Sequence, residues 1–398
     1  MWKKTFVSAF VAQIFSILGF SFAIPFLPFF LSELGIHDTG QQAFWSGIAL
    51  SATGFTLCIF APLWGLLADR YGRKVMVCRA MFAGTIILLL MSVVRTAGQL
   101  VICRLLQGIF TGTNAASIAL VASVTPERRS GLTLGMMQAA VFIGAALGPL
   151  FGGVFADLFG YRAAFRAGAA LVFLGGLLVL LMVKENFVPP DAEKSGSSMS
   201  FKKILAVNGF LAAVAIIFGV HLSNSIINPS FPLIVKDIVP SVESLNSITG
   251  FVLAAAAIAG ALSSAVLGHM GDRWGQKKIL ISCCIAAAFA SAGHFFASSL
   301  PSLFTVRILF GLSVAGMLPA ANAMIYKIID KKAIGMAYGA ATSLSMTGFA
   351  LGPFFGGALA SATNLRIPFL VTALFHVMLA FFIFRFVKIS DYESASNP

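Results

Sequence analysis

A polar stripe runs along one apolar stretch in the first half of the chain. Its members, at offsets of three, seven and ten residues, are Arg104, Gln107, Thr111 and Asn114. In a continuous α-helix these offsets place all four side chains on one face. A guanidinium within an apolar helix is costly unless it faces protein or a water-filled cavity, so Arg104 is a candidate functional residue. The alternative is an arginine near the end of its stretch that extends toward water, and the sequence leaves it open.

A second stripe lies in the second half of the chain, at His221, Asn224, Ser225 and Asn228. Because histidine changes its charge near neutral pH, His221 could carry a proton. It could equally be a neutral side chain that forms hydrogen bonds in the wall of a cavity. Two other histidines in apolar stretches, His294 and His376, have no such polar neighbours, and we predict that they are structural.

Acidic side chains are absent from the centres of the apolar stretches. All 14 Asp and Glu residues fall at the ends of these stretches or between them, and Glu33 comes nearest to an interior position. A cavity with an arginine, a histidine and amides but no central carboxylate would leave a buried cation without a partner. We therefore expect a bound ligand to be a neutral, zwitterionic or anionic amphiphile.

The composition indicates which elements position these stripes. Of 398 residues, 59% are apolar and 10% are charged, and the mean hydropathy is +0.94. Soluble chains carry about 25% charged residues, so a soluble enzyme is excluded. Apolar runs of about twenty residues cross the hydrocarbon layer as helices. We predict an all-α membrane protein with twelve transmembrane helices, near residues 6–32, 44–68, 75–95, 99–124, 132–157, 163–183, 204–234, 247–270, 279–298, 302–326, 334–360 and 367–387.

The charge distribution predicts how these helices are oriented. The chain has 27 Lys and Arg against 14 acids, a net charge of +13, and most basic residues lie in the loops on the side of the two termini. By the positive-inside rule, we expect both termini on the cytoplasmic side of the membrane, and this topology explains the charge better than nucleic-acid binding does. The polar segment 184–203 is the expected cytoplasmic linker between domains at 1–183 and 204–398.

The two halves of the chain are related in sequence. Residues of the first half recur 203 or 204 positions later: Pro25 and Pro28 as Pro229 and Pro232, Gly65, Asp69 and Gly72 as Gly268, Asp272 and Gly275, Arg104 and Gly108 as Arg307 and Gly311, and Arg162 as Arg366. The run Gly144, Gly148, Pro149, Gly152 and Gly153 returns as Gly348, Gly352, Pro353, Gly356 and Gly357. A direct repeat of six spans predicts two similar six-helix bundles with a substrate site near the membrane midplane.

Two motifs within this repeat resemble those of a known family, and the resemblance covers essentially the whole chain. The run from Gly65 to Lys74, GLLADRYGRK, resembles the loop signature after span two of the major facilitator superfamily. A series in span five resembles the motif of its antiporter branch, the drug:proton exporters with twelve spans: Gly135, Gly144, Gly148, Pro149, Gly152 and Gly153. The resemblance implies two bundles that rock about a site lined by spans one, four, seven and ten.

The same resemblance implies an activity, which is export of an amphiphilic small molecule in exchange for protons by alternating access. Arg104 matches a span-four arginine that is associated with proton coupling in the family. Glu33 is only the nearest match to the span-one carboxylate of exporters that take cations, and it is either that residue or a plain loop acid. We assign proton coupling to Arg104, Glu33 and His221. The expected cavity residues are Gln107, Thr111, Asn114, Gln138, His221, Asn224 and Asn228.

The loop motif also has a local interpretation as a clasp of the gate. Gly65 allows a close helix approach, Gly72 permits a tight turn, and Asp69 can face the positive N-terminus of another helix. The basic pair after Gly72 could bind an acid such as Glu127 or simply orient the loop. The second copy has Gln276 in place of the first basic residue, so we expect an asymmetric clasp. The predicted gating residues are Gly65, Asp69, Gly72, Arg73, Lys74 and Asp272.

The glycines of span five leave one helix face without side chains, and Pro149 removes a backbone hydrogen bond. We expect this face to be a smooth, bendable contact along which the two bundles rock. Ordinary packing of small residues in the membrane is the alternative. Span eleven carries the same spacing from Gly339 to Gly357.

Other functions stay open on the sequence alone. An exporter or flippase of a lipid-linked or sugar-derived amphiphile, or a facilitator without proton coupling, would carry the same motifs, and a membrane-embedded sensor could keep the fold without transport. The sequence has no metal-ligand spacing, phosphate-binding glycine loop or nucleophile–base pair, so we expect no enzyme activity, cofactor or metal. The expected partners are an amphiphilic substrate, protons and the lipid bilayer, without nucleic acid, and we expect a monomer.

Overall fold

A computed structural model describes residues 2–126, 129–185, 187, 204, 207, 209–239, 243–329 and 334–387 of the chain. These ranges form helices joined by turns. Twelve candidate spans within them are long and apolar enough to cross a membrane, which confirms the predicted all-α fold and the predicted number of spans. Most of the predicted linker at 184–203 lies outside the described residues, so the predicted domain boundaries stay a prediction.

The helices follow the same pattern in both repeats, with spans one, four, seven and ten each built from two helices. The first repeat contains Trp2–Ala23 and Leu27–Glu33 (span one), Thr39–Tyr71 (two), Arg73–Met91 (three), Ala97–Phe110 and Thr113–Val124 (four), Ser130–Phe159 (five) and Tyr161–Met182 (six). The second contains Phe210–Ile226 and Phe231–Ile238 (seven), Leu245–Trp274 (eight), Gln276–Phe296 (nine), Leu300–Val314 and Met317–Ile328 (ten), Ile334–Ala362 (eleven) and Ile367–Phe386 (twelve).

Proline pairs break spans one and seven at the same place in each repeat. In span one a short 3-10 turn, Ile24–Phe26, separates the two helices and contains Pro25. In span seven the first helix ends at Ile226, and Pro229 lies in the turn that precedes Phe231. Proline lacks the backbone N–H that a helix needs and disfavours helical conformation in the residue before it. The repeated proline pairs therefore set repeated breaks.

Spans four and ten also break at equivalent positions, so the prediction of spans one, four, seven and ten as continuous helices was wrong. Gly112 has φ +118°, a conformation that favours glycine, and separates the two helices of span four. In span ten the break falls at Ala315 and Gly316. Both spans begin with a hydroxyl cap: the side chain of Thr96 accepts a hydrogen bond from the N–H of Gln99, and Ser299 forms a capping box with Ser302.

The contacts between Cα atoms divide the chain into two compact units. Unit 1 comprises Met1–Asp38, Ala52–Ala192 and Val235–Ala255, and unit 2 comprises Thr39–Ser51, Glu193–Ile234 and Ala256–Pro398. Each unit therefore contains a segment from the other sequence repeat. Within unit 1, span one packs against spans five and six, and within unit 2, span seven packs against spans eleven and twelve.

The outer surfaces of both units carry large apolar side chains. Examples are Leu181 in unit 1 and Phe289 and Phe381 in unit 2, which are 69%, 76% and 63% exposed. In water such a surface would be a liability to aggregation, whereas in a bilayer it is the face that meets the lipid chains. Exposure of such side chains is therefore expected of a protein embedded in a membrane.

Candidate functional site

Arg104 is an interior residue of unit 1. It lies two turns into the first helix of span four and is 4% exposed. Its Nη1 donates a hydrogen bond to Oε1 of Gln107, one helical turn further on. Its backbone carbonyl accepts a hydrogen bond from Oγ1 of Thr53 at 2.9 Å, and Gly108 packs against the carbonyl of Thr53. Span two thus fixes this part of span four, and the guanidinium is held inside the unit rather than extended toward water.

The polar stripe that contains Arg104 is interrupted by the break in span four. Thr111 has an extended backbone conformation and Gly112 a left-handed one, so the second helix starts afresh at Thr113. Beyond the break, Oδ1 of Asn114 accepts a hydrogen bond at 3.0 Å from Nε2 of Gln13 in span one. The prediction of one continuous helical face was therefore wrong at this point, because it assumed an unbroken helix. The stripe is therefore divided in two. Arg104 and Gln107 lie before the break, and Asn114, beyond it, contacts span one.

Arg307, the matching arginine of the second repeat, has a different environment. It is 9% exposed, and its guanidinium carbon lies 4.1 Å from the ring centre of Phe231 and 5.6 Å from that of Phe310. Phe310 occupies the repeat position of Gln107, so an aromatic ring replaces the amide acceptor. Nε and Nη1 of Arg307 have no hydrogen-bond partner in the described part of the chain. The two arginines are equivalent in sequence, but one is held by an amide and the other by cation–π contacts.

His221 lies half-buried on the first helix of span seven, within unit 2. Its ring meets the ring of Phe349 from span eleven edge-on, with 6.4 Å between the ring centres. Asn224 lies on the same helix, and its Oδ1 is buried without a hydrogen-bond partner among the described residues. Asn228 lies beyond the end of this helix, in the turn before Pro229. The predicted stripe therefore ends before Asn228, because the proline disfavours helical conformation there.

His294 and His376 are fully buried in unit 2. Nδ1 of His294 donates to the carbonyl of Ala290 at 2.7 Å, and the ring stacks on Phe369 with 5.0 Å between ring centres. Nδ1 of His376 donates to the carbonyl of Thr372 at 2.9 Å. Packing of this kind is what the sequence analysis expects of structural histidines.

Glu33 lies at the end of span one, and its carboxylate forms an ion pair with Nε of Arg162 at 3.6 Å. Both side chains are partly exposed. Nη1 of Arg162 also donates to the carbonyl of Ser92 at 3.0 Å, and Arg366 of the second repeat donates to the carbonyls that end span nine in the same way. Glu33 is thus an ion-paired residue at a span end, and its part in proton coupling stays a prediction.

The loop between spans two and three turns at Gly72, which has φ +95°. Just beyond it, the carboxylate of Glu185 accepts hydrogen bonds from the backbone N–H groups of Arg73 at 3.0 Å and Lys74 at 2.7 Å. This carboxylate caps the N-terminus of span three, where the helix dipole favours negative charge. Glu127, the acid named as a partner from the sequence, lies outside the described residues. Glu185 was not predicted, because it lies more than a hundred positions away in the chain.

The ends of spans two and eight, next to the two copies of the loop motif, make no close helix contact at Gly65 or Gly268. A Cβ added to Gly65 or to Gly268 would meet no atom within 4 Å, so the predicted close helix approach at Gly65 was wrong. This end of span two is mostly exposed, and Asp69 is exposed with it. In the second copy Asp272 accepts a hydrogen bond from Nε2 of Gln276 at 3.0 Å. Asp272 thus accepts from a side chain of its own loop, whereas in the first copy Glu185 caps the following helix. The two copies of the loop motif differ, as the sequence predicts.

The glycines of span five do not form one contact surface. Gly144, Gly148 and Gly152 lie one turn apart and pack against span one of the same repeat. Gly135 and Gln138, near the start of the span, are exposed, and a Cβ on Gly135 would meet no atom within 4 Å. The prediction that the whole glycine face joins the two repeats was therefore wrong. Most of this motif holds span one to span five.

A neighbouring stripe of span five does contact the other repeat. Gly153 packs against the carbonyl of Asn246 in span eight, and Gly250 of span eight packs against the carbonyl of Pro149. We call this contact within unit 1 the five–eight seam. Small residues such as glycine on both helices allow backbone-to-backbone approach of this kind.

The same arrangement recurs within unit 2 between spans two and eleven, the two–eleven seam. Gly357 packs against the carbonyl of Ala43, and Gly47 packs against the carbonyl of Pro353. Gly47 and Gly250 are 203 positions apart, as are other members of the repeat. Gly47 and Gly250 were not among the predicted residues, although they are related by the offset of the sequence repeat.

The five–eight seam carries a carboxylate that the sequence analysis also missed. Asp157, one turn after Gly153, accepts hydrogen bonds from Asn246 and Ser247 at the start of span eight. Its spacing from Gly153 was an available signal, as were the polar residues at a helix start, where such side chains are favoured.

Within the described residues, no group of three or more His, Cys, Asp or Glu side chains is arranged to hold a metal ion.

A family model described as Major Facilitator Superfamily matches residues 9–223 and 213–398. The multidrug resistance protein MdtG of Proteus mirabilis is 32% identical over 378 residues, covering 94% of this chain and 93% of that protein. The multi-drug resistance efflux pump PmrA of Streptococcus pneumoniae serotype 4 is 31% identical over 379 residues, with the same coverage of both chains.

Solved structures show the same fold. A bacterial homolog of the human lysosomal transporter Spinster, in an inward-facing and occupied conformation, matches with a TM-score of 0.82 and 15% identity over 97% of both chains. A D-xylose-proton symporter matches with a TM-score of 0.78 and 14% identity over 99% of both chains. At this level of identity the likeness concerns the fold alone.

The packing of Gly152 against span one predicts a position-specific effect of a single methyl group. Gly152→Ala places a Cβ against the carbonyl of Phe22, and overpacking of this kind costs about 1–3 kcal/mol. Gly135→Ala, on the same helix but facing open space, is the matched control and should not lower the Tm, because alanine favours the helix more than glycine does. Thermal unfolding in detergent should show a lower Tm for Gly152→Ala than for the control. Equal Tm values for both variants would contradict the contact.

Proposed function

Since the chain belongs to the major facilitator superfamily and is therefore a multi-pass membrane transport protein, we propose that it exports amphiphilic small molecules in exchange for protons by alternating access. The two similar relatives are named for multidrug resistance and efflux, which supports export of varied small molecules. The repeat of six spans supports a substrate site near the midplane that opens to either side in turn.

The observation that carries the proposal is the buried Arg104 with its partner Gln107. A guanidinium that is 4% exposed within a transmembrane helix is expensive to retain and marks a substrate or proton pathway. The amide oxygen of Gln107 satisfies one N–H group but brings no negative charge. The site therefore favours substrates that are neutral, zwitterionic or anionic, because a permanent cation would be repelled by Arg104.

The proposal predicts that Arg104 is required for coupling and not for folding. Arg104→Ala should reduce proton-driven transport more than about tenfold, which corresponds to about 1.4 kcal/mol in the rate barrier, while Arg104→Lys keeps part of it. Arg95→Ala, at an exposed arginine just before span four, is the matched control and should transport normally. The measurement is uptake of a fluorescent amphiphile into inverted vesicles under an imposed proton gradient, with Tm as the check on folding.

The same assay distinguishes this function from its alternatives. Movement that is independent of the gradient would favour a facilitator or a flippase, and full coupling in a well-folded Arg104→Ala would remove the main residue assignment. Absence of movement across a broad panel of amphiphiles, with wild-type protein that is folded, would contradict transport of this class of substrate.

We also propose that both termini face the cytoplasm of a bacterial inner membrane, since basic residues concentrate on that side. The test places single cysteines in a protein whose native cysteines are replaced by serine. Thr363→Cys, exposed between spans eleven and twelve, should react with an impermeant maleimide in intact cells. Arg70→Cys lies at the exposed C-terminal end of span two, on the side that is expected to face the cytoplasm. It should react only after lysis. The reverse pattern would overturn this orientation.

A further inference from the structure

A crevice of about 450 Å³ lies between spans three and six of unit 1. Each of the two spans lines it with residues at offsets of zero, three, four and seven, which form one face of a helix. They are Phe82, Thr85, Ile86 and Leu89 of span three and Arg166, Ala169, Ala170 and Phe173 of span six. The volume is in the range of ligand pockets in proteins, about 300–1,000 Å³.

The crevice forms because span six has small residues on this face near its junction with span five. Deeper in the membrane the two spans are in close contact, since Gly176 packs against Phe82. The rings of Phe82 and Phe173 meet edge-on with 5.8 Å between their centres and form the inner end of the crevice. Ala169 and Ala170 have no side chain beyond Cβ, so the space between the helices stays open there.

Arg166 is the charged residue of this crevice. It lies five residues into the helix Tyr161–Met182, about 7.5 Å from the start, and its side chain is exposed. The other polar group of the lining, the hydroxyl of Thr85, donates to the backbone of its own helix at 3.0 Å. Glu33 is paired with Arg162, and in the part of the chain that the structure describes Arg166 forms no ion pair. Its guanidinium can therefore bind a ligand.

The second repeat has no arginine at the position of Arg166. Arg162 recurs as Arg366, and by the same offset Arg166 corresponds to Leu370 of span twelve. Leucine is favourable within a membrane, whereas a charged side chain on a transmembrane helix is costly. The arginine of the first repeat therefore costs free energy unless an anionic group pairs with it.

We propose that this crevice binds one anionic phospholipid, with its phosphate against Arg166 and an acyl chain extending between spans three and six to Phe82 and Phe173. A guanidinium binds phosphate through two parallel hydrogen bonds, and basic residues at the membrane surface attract anionic headgroups. The seven residues from Arg166 to Phe173 span about 10 Å, which fits the hydrocarbon of one leaflet, about 15 Å thick. This inference concerns lipid binding alone and does not rest on the proposed function.

The experiment measures lipid binding by native mass spectrometry of the purified protein in detergent. The probes are phosphatidylglycerol, which is anionic, and phosphatidylcholine, which is zwitterionic, with identical acyl chains. Wild-type protein should bind phosphatidylglycerol about fivefold more tightly, the effect of one basic residue near a membrane surface. Phosphatidylglycerol should also raise the Tm more than phosphatidylcholine does, because a ligand that binds only the folded state stabilises that state.

Variants remove the two parts of the site separately. Arg166→Leu introduces the residue of the second repeat and should abolish the preference, whereas Arg166→Lys should keep part of it. Ala170→Phe fills the crevice from an exposed position, so it should abolish the preference with the arginine still in place. The matched controls are Arg385→Leu, at an exposed arginine near the end of span twelve, and Leu174→Phe, exposed one turn beyond Ala170. Both controls should bind lipid as wild type does.

Three results would overturn the proposal. The first is a wild-type protein without a preference for phosphatidylglycerol, and the second is a preference that survives in folded Arg166→Leu or Ala170→Phe. The third is equal loss in Arg385→Leu, which would assign the preference to the overall charge of the protein. If Ala170→Phe fails to bind the fluorescent amphiphile but keeps its phosphatidylglycerol binding, the crevice belongs to the substrate and the lipid assignment is rejected.

Lipid binding and transport give independent results, because the mass measurement needs neither a gradient nor a substrate. A lipid preference that depends on Arg166 and Ala170, combined with vesicles that show no proton-driven uptake, would support the lipid site and reject the proposed function. Proton-driven uptake by a protein without the preference would support the function and reject the lipid site.

Discussion

Close contact between backbones at glycine residues is the constraint on which the rest of this structure depends. A Cβ at Gly152 or at Gly356 would overlap a carbonyl of span one or span seven, respectively. Small residues bring helices together in a membrane, where burial of apolar surface gives no net drive for association. The glycine stripes determine how closely span five packs against span one and span eleven against span seven. The adjacent stripes, with Gly153 and Gly357, then determine where the seams form.

The two repeats share these glycine contacts but differ in the side chains that surround their arginines and seams. The arginine of span four has an amide partner, whereas the arginine of span ten lies over aromatic rings. One seam has a carboxylate that caps a helix, and the other has none at the matching position. The two repeats thus share the same glycine contacts, whereas single substitutions between them place Gln107 and Asp157 in the first repeat only.

Much of the fold followed from the sequence because hydropathy and the repeat report directly on it. The number of spans was predicted correctly, whereas spans one and seven were predicted as continuous although their proline pairs lie where the helices break. The break at Gly112 was missed, since an apolar run gives no sign of a change in backbone conformation. The partners of the span-five glycines were misassigned because stripes one residue apart face different helices. Glu185 was missed because it caps a helix that is distant in sequence, and one chain offers no measure of that proximity. Asp157 was missed although its spacing from Gly153 was an available signal.

The proposed alternating access requires that both seams separate during the transport cycle. It is tested by distances between spin labels on exposed residues beside each seam, with Leu158 and Phe251 for the five–eight seam and Gln41 and Phe355 for the two–eleven seam. Double electron–electron resonance in nanodiscs is recorded at neutral pH, at mildly acidic pH and with a transported amphiphile. The account predicts that both label pairs gain a longer distance in the same conditions. An unchanged single distance for either pair, in protein that transports, would contradict it.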